Sequence, residues 1–401
     1  MLAALPLAVV VGSPQRVVLS AAIAAAYVVA AVVTARSAQV NKLVVVYVGV
    51  AAIWMVAALL RSKFLLHLRP EQLDYATSST LYFVFIVLPM AAAVTMLVGR
   101  AEAMWPAVIT QIAIGAVVAL VTIALLGDRF LGVDRYSWQG DLIALGTVLA
   151  VQPWPLRRFK ASAVLGLLGA AAVVMASSRQ AVAAVLVGFL LSAVYWTAAR
   201  HVKDRYVLLP LVLAALMIFY LGLTYAGDIG LHISGGSIVS TGPSSASCHC
   251  VTDRIVSLQA SAGDRDKLLA RGVHMFLAHP LFGAGIGAFA GTVPDSMQPG
   301  HFYAYPHNVP LEIASETGLV GLLLMLVPLV VGWVLLLLRG IKEASAPIAS
   351  ALMLVAVFFT VANVSGDIPS ERGLWIFGLV AFSLGVDRLR ARREAFLARV
   401  A

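Results

Sequence analysis

The chain has 401 residues, of which 61% are hydrophobic and 12% charged, and its mean hydropathy is +0.95. These values exclude a water-soluble globular domain, and the regular spacing of the apolar runs excludes disordered chain, which leaves a polytopic membrane protein. The net charge of +9 fits basic cytoplasmic loops facing anionic lipid, and it calls for no nucleic-acid partner.

Apolar runs of bilayer-spanning length, roughly 17 to 25 residues, are expected near 17–35, 43–60, 79–98, 104–126, 160–177, 180–199, 206–226, 309–338, 346–364 and 372–388. Shorter candidates lie at 2–12 and 141–155. The first has no basic start and no cleavage-site pattern, so it reads as a span and not as a signal peptide. Counting all twelve with the N-terminus inside leaves Arg157, Arg158, Lys160, Arg200, Lys203, Arg205 and the basic tail in the cytoplasm, as the positive-inside rule requires. The organisation expected is an N-terminal bundle over 1–226, an outer loop over 227–306, three C-terminal spans over 307–388 and a basic cytoplasmic tail over 389–401.

Within the outer loop, the stretch Asp264 to His279 has helical periodicity. Leu268, Leu269, Gly272, Val273 and Phe276 fall on one side of the wheel with Arg265, and Lys267, Arg271 and His274 fall on the other. An arginine aimed at the protein body suits the gripping of a phosphate, so Arg265 ranks above the solvent-facing Arg271. The glycine-rich Pro280 to Gly287 lacks the Lys-Ser/Thr ending of a P-loop and reads as a tight turn that brings the backbone back into the protein. Cys248-His249-Cys250 supplies too few ligands for a metal. In Asp264-Arg265-Asp266 the central cation takes the place that a divalent ion would have in a D-x-D motif, so no metal and no cofactor are expected.

Asn308 is a good N-cap and Pro310 suits the first turn of the helix that follows. His307 stands just before that cap, where the partial positive charge of a helix N-terminus favours a neutral base and a bound anion. Glu312 and Glu316 lie one turn apart on the face of Asn308 and could orient the histidine or an acceptor sugar. Arg179 interrupts a long apolar run at a tight turn on the same side of the membrane as Arg265 and His307. A transporter would place its charges near the bilayer midplane on broken helices and would often show repeated halves, and neither pattern is evident.

Three stretches together resemble the O-antigen ligase and Wzy-type polymerase family of bacterial membrane glycosyltransferases. They are Ser177-Ser178-Arg179-Gln180-Ala181, then Arg265 ahead of His279-Pro280-Leu281-Phe282-Gly283-Ala284-Gly285-Ile286-Gly287, then His307-Asn308 with Leu311, Glu316, Gly318 and Gly321. The resemblance implies an all-α fold of about twelve transmembrane helices of the GT-C type, with a large, partly helical loop outside the cytoplasm. It implies an undecaprenyl-diphosphate-linked glycan as donor and a hydroxyl of a glycan, lipid or wall polymer as acceptor, in an inverting transfer without metal. Carried over residue by residue, His307 would be the catalytic base, and Arg179 and Arg265 would hold the diphosphate; the residue pattern itself adds Arg271 as a lower-ranked diphosphate ligand and Asn308, Glu312 and Glu316 as supporting residues. The bacterial cytoplasmic membrane is the expected location, with the site on its outer face. The family's tryptophan after the loop arginine is Leu269 here, and the cysteine triplet has no counterpart.

Overall fold

A computed structural model describes residues 17–35, 42–99, 101–124, 136–152, 159–176, 178–199, 207–218, 267–290, 305–364 and 366–400. The expected span at 2–12, the cysteine triplet and Arg265 lie outside the described residues.

The described secondary structure is helical. In chain order the helices are α1 (Val17–Ala35), α2 (Lys42–Leu65), α3 (Pro70–Tyr82), α4 (Leu88–Leu97), α5 (Trp105–Ala124), α6 (Tyr136–Ala150), α7 (Phe159–Met175) and α8 (Arg179–Ala199). They continue as α9 (Val207–Ile218), α10 (267–278), α11 (Val309–Met325), α12 (Val327–Glu343), α13 (Ala346–Val364) and α14 (Arg372–Val400). Among the described residues six stretches are long and apolar enough to cross a membrane, and five shorter helices are also apolar. The chain is therefore a polytopic α-helical membrane protein.

Close approach in this bundle depends on small residues, as it does where lipid offers no hydrophobic drive between helices. Gly115 of α5 faces Gly146 of α6 so closely that a Cβ on the first would lie 2.7 Å from the Cα of the second. Gly332 of α12 lies against the backbone of Phe382 in α14 in the same way. Polar side chains add specific ties: Gln152 donates to Ser192 at 3.1 Å and accepts from the Trp196 indole at 3.0 Å, joining the end of α6 to α8.

Two segments differ from the sequence expectation. The third span begins at Pro70 and not near 79, because the polar turns Pro70 to Ser79 are helical and aim Gln72 and Tyr75 at the protein. A π-helical turn at Phe83–Val87 joins α3 to α4 and absorbs Pro89, which can neither donate a backbone bond nor fit a regular turn. The single run expected at 309–338 is two helices: Gly318 is non-helical inside α11, and a joint at Leu326 precedes Pro328. The Tyr47 hydroxyl donates to the Met325 carbonyl at that joint, at 2.8 Å. The tail expected to follow the last span continues α14 as helix to Val400.

Candidate functional site

The site is built around the start of α11. Asn308 is extended, at φ −152° and ψ 106°, and its Oδ1 accepts the Leu311 N–H at 2.8 Å. Its Nδ2 donates to the Asn363 carbonyl at 2.9 Å, so the cap also fixes α11 to the end of α13. His307, one residue earlier, has φ +56° and packs edge-on against Tyr305, with ring centroids 4.6 Å apart. A positive φ on a non-glycine residue costs on the order of 1–3 kcal/mol and persists where the surroundings enforce it, most often at functional sites. Its half-buried ring has Nδ1 shut away from solvent.

Both glutamates of the segment are core residues. Glu312 is 2% exposed: its Oε2 accepts the Ile368 N–H at 3.0 Å, and its Oε1 faces the Tyr75 hydroxyl at 3.4 Å. The same hydroxyl lies 3.2 Å from Asp367 Oδ2, so Tyr75 of α3 joins two carboxyl groups from different parts of the chain. Asp367 in turn accepts the N–H of Ser370 at 2.9 Å and the Ser370 hydroxyl. Glu316 accepts the Phe289 N–H at 3.2 Å through Oε1, while its Oε2 is buried without a hydrogen-bond partner among the described residues.

The break at Gly318 connects this helix to the loop. With φ +71° and ψ −168°, Gly318 opens the α-helical ladder and leaves backbone groups free on both sides. The turn after α10 takes them up: the amides of Ala284 and Gly285 donate to the Ser315 and Glu316 carbonyls at 2.8 and 2.9 Å. In the other direction, Leu319 and Val320 donate to Pro280 and Leu281 at 2.8 and 3.2 Å. Arg61 of α2 donates to the Phe282 and Gly283 carbonyls, and Gln72 of α3 to those of Ala288 and Ala290. The glycine-rich segment is thus a backbone splice. The amides of Ala284, Gly285 and Phe289, which a phosphate cradle would need, are spent on protein acceptors.

α10 requires a correction. Its buried face carries Leu268 and Gly272, the latter against the Leu311 side chain, while Val273 is 47% exposed. Arg271, expected to face solvent, is half-buried next to that contact, with its Nε enclosed and lacking a hydrogen-bond partner among the described residues. The wheel assigned every apolar residue to the protein interior, which holds for a helix in water and not for one beside lipid. Through Gly272 and Leu311 the structure brings the backbone of Arg271 close to the first turn of α11.

Arg179 is the first residue of α8, and its side chain lies outside the described ones. Ser178 before it is 1% exposed, and Gln180 after it donates to Asp141 of α6 at 2.8 Å. Asp141 acts electrostatically on Glu371, which also feels Asp367. Polar groups thus stand between the start of α8 and the start of α11, joined by hydrogen bonds at each end and acting on one another through charge between Asp141, Glu371 and Asp367.

Sequence reasoning missed Tyr75, Asp367 and the clamps Arg61 and Gln72. The polar Asp367-Ile368-Pro369-Ser370-Glu371-Arg372 between two apolar runs was a visible signal. Tyr75 had none, since its role depends on α3 beginning nine residues earlier than the apolar run. Tyr75→Phe removes the one hydroxyl that Glu312 and Asp367 share, and a destabilisation of about 1–3 kcal/mol is expected. Thermal unfolding in detergent, beside an exposed control such as Ser78→Ala, measures it.

Burial pushes the Asp367 carboxyl above the usual carboxylate range, against the lowering effect of its bonds from Ser370 and Tyr75. Burial raises Glu371 still further, with Asp141 and Asp367 adding and Arg372 opposing. A raised folded-state value means that the protonated form stabilises the fold. That stability is complete below the unfolded carboxylate range and is lost as pH rises through the folded value. The melting temperature should therefore fall as pH is raised from about 4, with a flatter profile in Asp367→Asn. An Asp367→Asn profile as steep as that of the parent would remove Asp367 from the account.

Buried acids, a capped histidine turn and a spliced loop at one end of a helical bundle define a polytopic membrane protein with an enclosed polar site. Residues 163–326 match the family model described as O-antigen ligase. This match supports the likeness to the O-antigen ligase family that the motifs around Arg179 and His307 indicated. No curated protein matches the chain. The matched stretch includes α8, α10 and α11, whereas Tyr75 and Asp367 lie outside it.

Proposed function

We propose that the protein transfers a glycan from an undecaprenyl-diphosphate carrier to an acceptor hydroxyl, with inversion and without metal. The observation that carries this reading is the turn at His307: a half-buried imidazole on a positive-φ residue ahead of a capped helix, whose first turn holds buried Glu312 and packs Leu311 against Gly272 of the α10 segment that bears Arg271. In the reaction His307 accepts the proton of the acceptor hydroxyl as its oxygen attacks the anomeric carbon. The bond from that carbon to the diphosphate breaks, and undecaprenyl diphosphate leaves with the electron pair. Arg179, Arg265 and Arg271 neutralise the departing charge. Because a diphosphate is already a good leaving group, positioning, charge neutralisation and one general base are sufficient catalysis.

The site is assigned to the outer face of the bacterial cytoplasmic membrane, within a GT-C-type arrangement of about twelve spans. The basic connections flanking α7 and α8 support that orientation by the positive-inside rule. The acceptor is a glycan, a lipid or a wall polymer, and ligase and polymerase share the donor chemistry. Complementation of a strain lacking the gene tests the proposal by gel analysis of surface glycan. In the null strain, accumulated lipid-linked long chains indicate a ligase, and single short repeats indicate a polymerase. Arg179→Ala and Arg265→Ala should each lose most of the product; undiminished product from well-expressed variants would contradict the diphosphate assignment.

A further inference from the structure

The segment from α10 through the turn at 279–290 belongs by sequence to a loop outside the membrane, yet it exposes four large apolar side chains, with His274 and His279 exposed among them. Leu277 is 69% exposed, Leu281 59% and Phe282 52%, and Val273 one turn earlier lies on the same side. A surface of this kind on a water-immersed loop would be an association hazard.

It adjoins another apolar surface. Phe282 packs on Trp54 of α2, with ring centroids 6.4 Å apart, and Gly285 is seated against Ser62 and Leu66. α2 is a candidate span whose apolar residues point largely away from the protein: Ile53 is 72% exposed and Phe64 66%. The exposed face of α10 and its turn therefore extends the outward stripe of a membrane-crossing helix. The turn also lies at the level of Arg61 and Ser62, below the end of α2 at Leu65.

Irregular backbone at that depth is tolerated only where its polar groups are satisfied by protein. The turn meets that demand through its pairing with α11 across the Gly318 break and through the Arg61 and Gln72 side chains. Lys63, in the last turn of α2, keeps its ammonium 5.7 Å from the Phe64 ring centroid, and a long cation at the end of a span reaches toward the lipid headgroups. Fitted by this chemistry, the occupant is lipid: acyl chains against Val273, Leu277, Leu281 and Phe282, with lipid phosphates near Lys63.

We propose that α10 and the turn after it form an interfacial membrane element, immersed in the leaflet on the side of the site. The inference does not depend on the glycosyl-transfer reading. It makes α10 a helix with lipid on one face and α11 on the other, which is why Arg271 turns inward while Val273 and Leu277 do not.

Spin labelling tests it in the full-length protein. Cys248→Ser and Cys250→Ser remove both native cysteines, and single cysteines are then introduced as Leu277→Cys and Leu281→Cys. Ile53→Cys serves as the lipid reference and Glu71→Cys as the aqueous one. The labelled proteins are reconstituted in vesicles of phosphatidylethanolamine and phosphatidylglycerol, and nitroxide relaxation by oxygen is compared with that by a water-soluble nickel chelate. Collisions at 277 and 281 should favour oxygen, as at 53, with 71 showing the reverse. Preference for the nickel chelate at 277 and 281 would overturn the proposal by placing the segment in water. Low collision rates with both reagents would overturn it by showing that protein covers the face. Both positions are exposed, so folding tolerates the labels, and no activity enters the readout.

Discussion

Replacement of His307 by alanine is expected to lower glycan transfer by roughly 100- to 10,000-fold, the usual contribution of a positioned general base, while leaving the protein folded. The basis is local geometry. Asn308 caps α11 and is tied to Asn363, Glu312 is held by Tyr75 and Ile368, and the turn between these supports keeps His307 at φ +56°. The substitution should cost little stability, because alanine keeps the backbone and the cap. The loss should therefore appear in turnover, with binding of the lipid-linked donor largely retained, since the groups assigned to the diphosphate are arginines elsewhere. His307→Gln separates the proton from the shape: it preserves a polar side chain but cannot accept a proton at neutral pH, and it should be as inactive as alanine. Substantial activity in His307→Gln would restrict the histidine to binding the acceptor.

Gly318→Ala carries the largest expected effect on stability. At φ +71° and ψ −168° the residue occupies a region reserved for glycine, and a Cβ would lie 2.3 Å from the Leu281 carbonyl oxygen. Strain and overlap together should cost on the order of 3 kcal/mol or more. Gly283→Ala attacks the same splice from the loop side, where a Cβ would lie 2.2 Å from the carbonyl carbon of Glu316. Since either change releases the same pairing, the double variant should be less destabilised than the sum of the two. Gly49→Ala is the control: nothing lies within 4 Å of its added Cβ, so it should be neutral or slightly stabilising. The melting temperatures of the four variants test this set, and additive losses at 318 and 283 would show that the two glycines serve separate purposes. The splice also fixes the loop segment to the helix of His307, so transfer should fall with stability.

Much of the bundle was legible because spanning a bilayer requires long apolar runs. The helix start at Asn308 was legible for a local reason, a capping side chain followed by proline. What escaped depends on distance in sequence. Nothing around Gly318 announces a helix break, because the acceptors and donors that stabilise it come from Pro280 to Gly285. Glu312 and Glu316 could be solvated first-turn residues until Tyr75, Ile368 and Phe289 are seen closing over them. Arg271 was turned the wrong way because a helical wheel separates apolar from polar residues and does not distinguish a protein interior from lipid.

The central claim is that a lipid-diphosphate-linked glycan is transferred at the His307 turn. Its most direct test is a proteoliposome assay with a purified undecaprenyl-diphosphate glycan and candidate acceptors, following glycosylated acceptor and free undecaprenyl diphosphate together in the presence of a chelator. The account predicts that the two products appear in equal amounts, without divalent cation, and that both vanish in His307→Ala. Transfer that proceeds undiminished in His307→Ala, or that requires a divalent cation, would contradict it.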